Sequence, residues 1–300
     1  MLSDIKLSIV FLNYNRLDET RSTVEQLLSI CEGRTDIEII AVDNGSTDGT
    51  AEYLKKQRGI VSILLHDNGG IAGYNIGFER ASGEFILVLD DDSCPDGIES
   101  VDRAISVLSQ RPDVGLLAFR IESPDGQLQT SWHLPQIQAE GPSPFFIGCG
   151  FVVRRALFEK IGWYPADFFL YQNEIDVSFQ IRLQGYQIFY DPLCRVIHRG
   201  IPNNRPGWRR VFYPTRNTLW LLRRYFPQPQ TSYLIFSRLV IGFGRALCFN
   251  ETGNYWRAVK EGLNAPLLKN PLPATLRHDF SPFSRQNCIF HQLLRALIAR

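Results

Sequence analysis

Over the first 120 residues, apolar and polar positions come in blocks that alternate in kind. Leu7–Leu12 (LSIVFL), Ile37–Val42, Val61–Leu65, Phe85–Leu89 and Val114–Phe119 are short apolar runs rich in β-branched residues. Each reads as a strand buried on both faces. Helix-like segments stand between them at Leu17–Cys31, Gly49–Gln57, about Ala72–Ala81 and Gly97–Gln110. Strand–helix alternation predicts an α/β fold, a mostly parallel sheet with helices on both faces.

The pattern then loosens. Arg154–Gly162 and Glu174–Gly185 read as helices, and Gln187–Tyr190 as a short strand ending at Asp191-Pro192. Pro202–Pro206, with Asn203 and Asn204 between the prolines, reads as a break. Beyond it, Tyr233–Phe249 carries Leu234, Ile235, Leu239, Ile241, Phe243 and Leu247, and Asn287–Ala299 has an i, i+3, i+4 apolar stripe. The expected organisation is an α/β domain over 1–204, divided near residue 120, followed by a mainly helical region over 205–300.

Charge sharpens that division. Residues 1–204 hold 17 Lys and Arg against 28 Asp and Glu, whereas 205–300 hold 15 against 3, and the net of +1 hides this. A basic tail of this kind faces something anionic, the acidic half, a phosphate-bearing ligand, a membrane surface or nucleic acid, or it forms a homodimer contact. Nucleic acid is not expected, because no recognised module accompanies the charge. The six cysteines are scattered with no C-x-x-C pair, which suits a reducing, cytoplasmic setting. No leader or spanning segment is read: the N-terminal apolar stretch is short, and no uninterrupted apolar run approaches the roughly 18 residues a span requires.

The candidate chemistry sits at strand ends. In a parallel sheet ligands bind beyond the carboxyl ends of the strands. There the chain places Asn13-Tyr14-Asn15, Asp43-Asn44 and Asp90-Asp91-Asp92. Three carboxylates directly after GEFILVL repel one another unless a cation or water relieves them, and Mg²⁺ is commonly held by one or two carboxylates with substrate phosphates. Asp43 can accept from a nucleotide, and the glycines of Asn68–Gly77 allow backbone to approach a ligand closely. That loop is neither a dinucleotide fingerprint nor a P-loop. Glu174 and Asp176 open a helix, where the dipole favours acids, and either could serve as a general base.

Together these pieces resemble a family 2 inverting nucleotide-sugar glycosyltransferase of GT-A, Rossmann-like fold. The carriers are LSIVFLNYNR (7–16), IIAVDNGSTDGT (39–50), NGGIAGYNIGFERASGEFILVLDDD (68–92), IGCGFVVRRALFEKIGW (147–163), FFLYQNEIDVSFQIRLQGY (168–186), VIHR (196–199) and YPTRNTLWLLRRYF (213–226). Within the family the chain is most similar to enzymes adding rhamnose or galactofuranose during bacterial surface-glycan assembly. The resemblance implies a UDP- or dTDP-sugar donor, a glycan or lipid-linked glycan acceptor, and Mg²⁺ or Mn²⁺. It implies that Asn13, Tyr14 and Asp43 border the base, that Gly70 and Asn75 lie near the nucleotide, and that Asp90 and Asp91 meet the ribose side. Asp92 and His198 would hold the metal, Glu174 would be the base with Asp176 beside it, and Arg216 would meet phosphate. A tail bound to the inner face of the plasma membrane would suit such an acceptor.

Two departures stand out. Asn173-Glu174 replaces the family's usual Glu-Asp, making the base a glutamate, and Gly162–Asp167 lacks the usual Phe-Asp-Glu run. Two rival readings stay open at the level of sequence. FILVLDDDS also resembles the D-x-D strand of haloacid dehalogenase phosphohydrolases, although three strands precede it here. A non-catalytic nucleotide- or glycan-binding relative is the other.

Overall fold

The computed structural model describes residues 5–129, 139–200 and 206–298. Among these residues nine strands form one mixed sheet. Its parallel half comprises β1 (Leu7–Asn13), β2 (Ile37–Asp43), β3 (Val61–Leu64) and β4 (Phe85–Asp90), ordered β3-β2-β1-β4. The crossovers are α1 (Leu17–Ile30), α2 (Thr50–Lys56) and α3 (Ala72–Arg80). β1 and β4 are buried nearly throughout, as unbroken apolar runs require. Leu7, Ile9 and Phe11 join Val24 and Leu27 of α1 and Phe85, Leu87 and Leu89 of β4 in one core.

After β4 the chain doubles back through β5 (Ser93–Pro95), then continues as α4 (Ile98–Gln110) and β6 (Val114–Glu122). β7 (Gly141–Pro142) and β8 (Gly150–Arg154) precede α5 (Arg155–Lys160). Then come α6 (Asn173–Leu183) and β9 (Gln187–His198). β8 inserts antiparallel between β4 and β6, giving the order β4-β8-β6-β9-β5, with β7 on β9. The apolar-run pattern did not anticipate β8, whose five residues lead without a turn into α5.

β9 corrects the short strand expected at Gln187–Tyr190. It runs twelve residues, through Pro192. Its pairing with β6 jumps from Phe119↔Asp191 to Arg120↔Arg195. Pro192, Leu193 and Cys194 therefore bulge out of the ladder, where a residue without an N–H is tolerated. Asp191 at the bulge is fully buried and paired with Arg103 Nε at 2.7 Å.

The remaining helices are α7 (Gly207–Tyr225), α8 (Gln230–Cys248), α9 (Thr252–Asn264), α10 (Ala274–Asp279), α11 (Ser281–Gln286) and α12 (Ile289–Ile298). The break expected at Pro202–Pro206 lies, except for Pro206, outside the described residues. No helix among them is long and apolar enough to cross a membrane. The chain divides into two compact units. The first gathers the residues through Phe169 with Gln180–Gly200, and the second gathers Leu170–Phe179 with the residues after Gly200. Residues 170–179 join the helical unit for visible reasons. Asn217 Nδ2 donates to the carbonyls of Leu170 and Tyr171 at 2.9 and 3.0 Å. Phe179 packs among Tyr225, Phe226, Phe280 and Phe283.

Candidate active site

Parallel register sets the rim. Asn13 pairs with Asp43 across β1 and β2, and Leu12 with Asp90 across β1 and β4. The polar tips of three strands therefore emerge along one edge, as the strand pattern predicts. Two loops of this rim are tied together. The Asn15 N–H donates to Ser46 Oγ at 2.9 Å, and Asn15 Oδ1 accepts from the Thr47 N–H at 2.7 Å. Asp48 accepts from the N–H groups of Leu17 and Thr50, joining the starts of α1 and α2.

The acid triplet meets His198 through β5. Ser93 pairs directly opposite His198 in the β5–β9 ladder. Asp92 Oδ1 thus lies 3.1 Å from His198 Nε2. The ring does not aim a hydrogen bond at it, and this buried oxygen has no hydrogen-bond partner. The far ring nitrogen is secured: Gln129 Nε2 donates to the His198 carbonyl at 3.2 Å, so its Oε1 faces Nδ1 at 2.8 Å and takes the ring proton. That tautomer leaves Nε2 able to ligate. α1 anchors both strand ends. Thr23 Oγ1 donates to the Asp91 carbonyl at 2.7 Å and accepts from Arg199 Nη2 at 2.6 Å.

Positive charge is already present at the acids. Arg16 Nη1 lies 2.8 Å from Asp91 Oδ1 and 2.5 Å from Asp92 Oδ2. Burial pushes Asp91 up to about 8, against the pull of Arg16 and with Asp92 and Asp90 adding to the push. Burial also opposes the charged form of Asp92, yet His198 and Arg16 beside it hold that carboxyl down at about 2. Burial works likewise against protonated His198, and its acidic neighbours nonetheless raise its pKa. Asp90 Oδ1 accepts from Tyr74 Oη at 2.9 Å. Arg16 reaches one oxygen of Asp91 and one of Asp92, and leaves Asp92 Oδ1 without a hydrogen bond. Asp90 and His198, with the Cys149 thiol, present ligand atoms within 4.8 Å of one another. An orphaned carboxylate oxygen and an available imidazole nitrogen fit a divalent cation.

The nucleotide end shows the same economy. Asp43 is 1% exposed; Oδ2 accepts from the Ser46 N–H at 2.9 Å, while Oδ1 is buried without a partner. Asn44 staples the glycine loop, donating to Asn68 Oδ1 and the Gly70 carbonyl and accepting from the Gly69 N–H. Gly70 has φ +63°, and a Cβ there would fall 2.2 Å from the Phe169 carbonyl oxygen. Close backbone packing alone therefore accounts for this glycine. Tyr14 is 39% exposed at the rim.

Other expected residues are engaged elsewhere. Asn13 is fully buried, donating to the Val42 carbonyl and accepting from Thr20. Asn75 commits its amide to the backbone of Tyr164, at 2.9 and 3.1 Å. This fastens the Gly162–Asp167 loop, whose Trp163 and Tyr164 pack on Phe78 and Phe158. Arg216 stacks over Trp220 at 4.3 Å and lies 3.5 Å from Glu261. Arg223 donates to the Gly262 and Ala265 carbonyls at the end of α9. In α6, Glu174 is half-buried in the first turn. Asp176 is fully buried, with Tyr225 Oη at 2.9 Å and Arg224 Nη1 at 3.2 Å. Four contributors carried no role in the sequence reading: Arg16, Asn44, Gln129 and Cys149. Arg16 alone had a visible signal, a cation immediately after the polar tip of β1.

Residues 8–162, just over half of the chain, match the family described as Glycosyl transferase family 2. A poly-β-1,6-N-acetyl-D-glucosamine synthase of Staphylococcus aureus (strain MSSA476) is 27% identical over 238 residues, covering 73% of this chain and 56% of that protein. The Staphylococcus epidermidis synthase is 26% identical over 248 residues, covering 76% and 58%. The chain thus spans little more than half the length of these relatives. Among solved structures, GalNAc-T7 with UDP, GalNAc and Mn²⁺ superposes with a TM-score of 0.64 at 15% identity, covering 86% of this chain and 56% of that one. Mannosyltransferase PcManGT from Pyrobaculum calidifontis, in complex with GDP-Man and Mn²⁺, gives 0.58 at 17% identity, covering 98% and 86%. The fold is GT-A, and the chain belongs to glycosyltransferase family 2.

Proposed function

We propose that the chain transfers a sugar, with inversion, from a UDP- or dTDP-sugar to a hydroxyl of a glycan acceptor. The observation that carries this reading is the pair of buried, unpartnered carboxylate oxygens at one rim, Asp43 Oδ1 and Asp92 Oδ1. The first would accept from the N3–H that uracil and thymine share. Tyr14 would border the base, with Asp90 and Asp91 toward the ribose. Mg²⁺ or Mn²⁺, held by Asp92 and His198, would supply positive charge against the departing diphosphate. Glu174 would take the acceptor proton as its oxygen attacks the anomeric carbon from the face opposite the leaving group, and one displacement inverts the centre. Asp176 is less suited to that task, because its carboxylate already accepts from Tyr225 and Arg224. Asn13 and Asn75 serve as supports of the rim, and Arg216 as a brace of the helical unit.

The motif resemblance favours rhamnose or galactofuranose as the sugar, while the synthase relatives favour an N-acetylhexosamine. A lipid-linked acceptor at the cytoplasmic membrane face is supported by the basic excess of 205–300. The exposed Phe236, Leu247, Trp256, Leu268 and Phe290 support it too. The reading is tested with Glu174→Gln, measuring transfer and donor binding side by side. General-base help contributes about 10²–10⁴-fold, so transfer should fall by that order with donor affinity kept. Near-normal turnover in this variant would remove Glu174 as the base.

A further inference from the structure

We infer that Cys149 is a ligand of the same divalent ion, making the site a mixed oxygen, nitrogen and sulfur centre that selects softer metals over Mg²⁺. This rests on the reading that Asp92 and His198 hold a metal. Cys149 immediately precedes β8, the antiparallel strand beside β4. Ser93 locks the two together: its hydroxyl accepts from the Asp90 N–H at 2.8 Å and donates to the Cys149 carbonyl at 3.0 Å. The thiol is in no disulfide, is 4% exposed, and borders the apolar core. A buried cysteine with only apolar neighbours would be a small hydrophobe. This one also has its Sγ within 4.8 Å of a carboxylate oxygen of Asp90 and a ring nitrogen of His198. Donors around one ion, bonded at the usual lengths, stand about 3–4.5 Å apart, so a small contraction would close the set.

Two further observations concern His198, the donor that this trio shares with Asp92. Asp92, 3% exposed, keeps Oδ1 without a hydrogen bond while 3.1 Å from His198 Nε2. A Cβ at Gly200 would fall 2.6 Å from Asp92 Oδ2 and 2.8 Å from His198 Nε2, so the absence of a side chain there leaves the approach to both groups clear. Mg²⁺ takes oxygen ligands in a near-ideal octahedron, whereas a thiolate favours Mn²⁺, Co²⁺, Zn²⁺ and Cd²⁺ progressively more. On ligation the thiol proton leaves to solvent.

The test is a Co²⁺ titration of the full chain, with and without UDP, followed by absorption. The wild type should show a near-ultraviolet thiolate-to-cobalt charge-transfer band together with visible d–d bands. Cys149→Ser should abolish the first and keep the second, and Cys149→Ala should do the same if serine perturbs folding. Cd²⁺ affinity should fall about tenfold or more in either variant, with Mg²⁺ affinity changed less than about twofold. Visible bands that disappear in Asp92→Asn, with no charge-transfer band in the wild type, would overturn the sulfur ligand and leave the metal reading standing. Failure to bind Co²⁺ in either condition would overturn both.

Discussion

Asp92 and Asp176 are both buried aspartates that follow an apolar or helical start, and as letters they are alike. Asp176, in the helical unit, is engaged by its own chain: Tyr225 Oη and Arg224 Nη1 both donate to Oδ1. Asp92, in the turn between β4 and β5, has Arg16 on one oxygen and an imidazole out of line with the other. Leaving a buried acceptor unmade costs about 1–3 kcal/mol, more when it is charged. A chain that gives one carboxylate two donors and leaves an oxygen of the other without a hydrogen bond has built a structural element in the first case and a receptor in the second. Asp43 belongs with Asp92, since its Oδ1 is also buried without a hydrogen bond.

The contrast is broken most severely at Asp176. In Asp176→Asn the guanidinium of Arg224 loses its carboxylate, and disrupting a buried pair costs about 3–5 kcal/mol. Urea unfolding should register that loss, while kcat of the folded fraction stays within a few-fold of wild type. A collapse of kcat at unchanged stability would transfer the base role to this residue. Asp92→Asn should do the reverse. A metal at about 100 times its Kd stabilises the native state by about 2.7 kcal/mol. The Mn²⁺-induced rise in melting temperature should therefore vanish in this variant, and EDTA should stop transfer by the wild type until Mg²⁺ or Mn²⁺ is restored. Full activity in chelator would remove the metal.

Asp43→Asn sharpens the comparison with a smaller effect. Oδ2 accepts from the Ser46 N–H, and the asparagine carbonyl can keep that bond, so stability should change little. The amide then faces the base N3–H with a donor, and calorimetry should show UDP binding weakened by about 1–3 kcal/mol. Unchanged UDP affinity would place the base elsewhere.

How far this was legible in the sequence follows the same line. β1 to β4 and their helices could be read because strands buried on both faces leave unbroken apolar runs, and parallel register then brought Asn13, Asp43 and Asp90 to one rim. The meeting of Asp92 with His198 could be carried only by resemblance, since it depends on β5 turning back to pair with the far end of β9. β9 itself was underestimated because Pro192 reads as a stop, and a bulge that removes the need for its N–H has no letter code. Asn75 and Arg216 have the right residue types for ligand contacts. Whether an amide faces a ligand or the Tyr164 backbone, or an arginine a phosphate or the Trp220 ring, is decided by tertiary packing.

Arg16 is where the two kinds of aspartate come closest to one another, because it gives Asp92 part of what Arg224 gives Asp176. Its side chain is 40% exposed, whereas that of Arg224 is 22% exposed. Solvent screening therefore limits its worth to about 1 kcal/mol or less. Yet it places a positive charge on Asp92 Oδ2, the same carboxylate that the metal needs. Arg16→Gln should accordingly lower the melting temperature of the metal-free protein slightly. Relief of repulsion between two cations on one carboxylate should tighten Mn²⁺ a few-fold, about 0.5–1 kcal/mol. Both effects should shrink as ionic strength rises, since the guanidinium is partly in water. If Mn²⁺ binds more weakly to the variant, Arg16 helps to assemble the metal site, and the opposition between a self-satisfied and a receptive aspartate needs a third, cooperating charge.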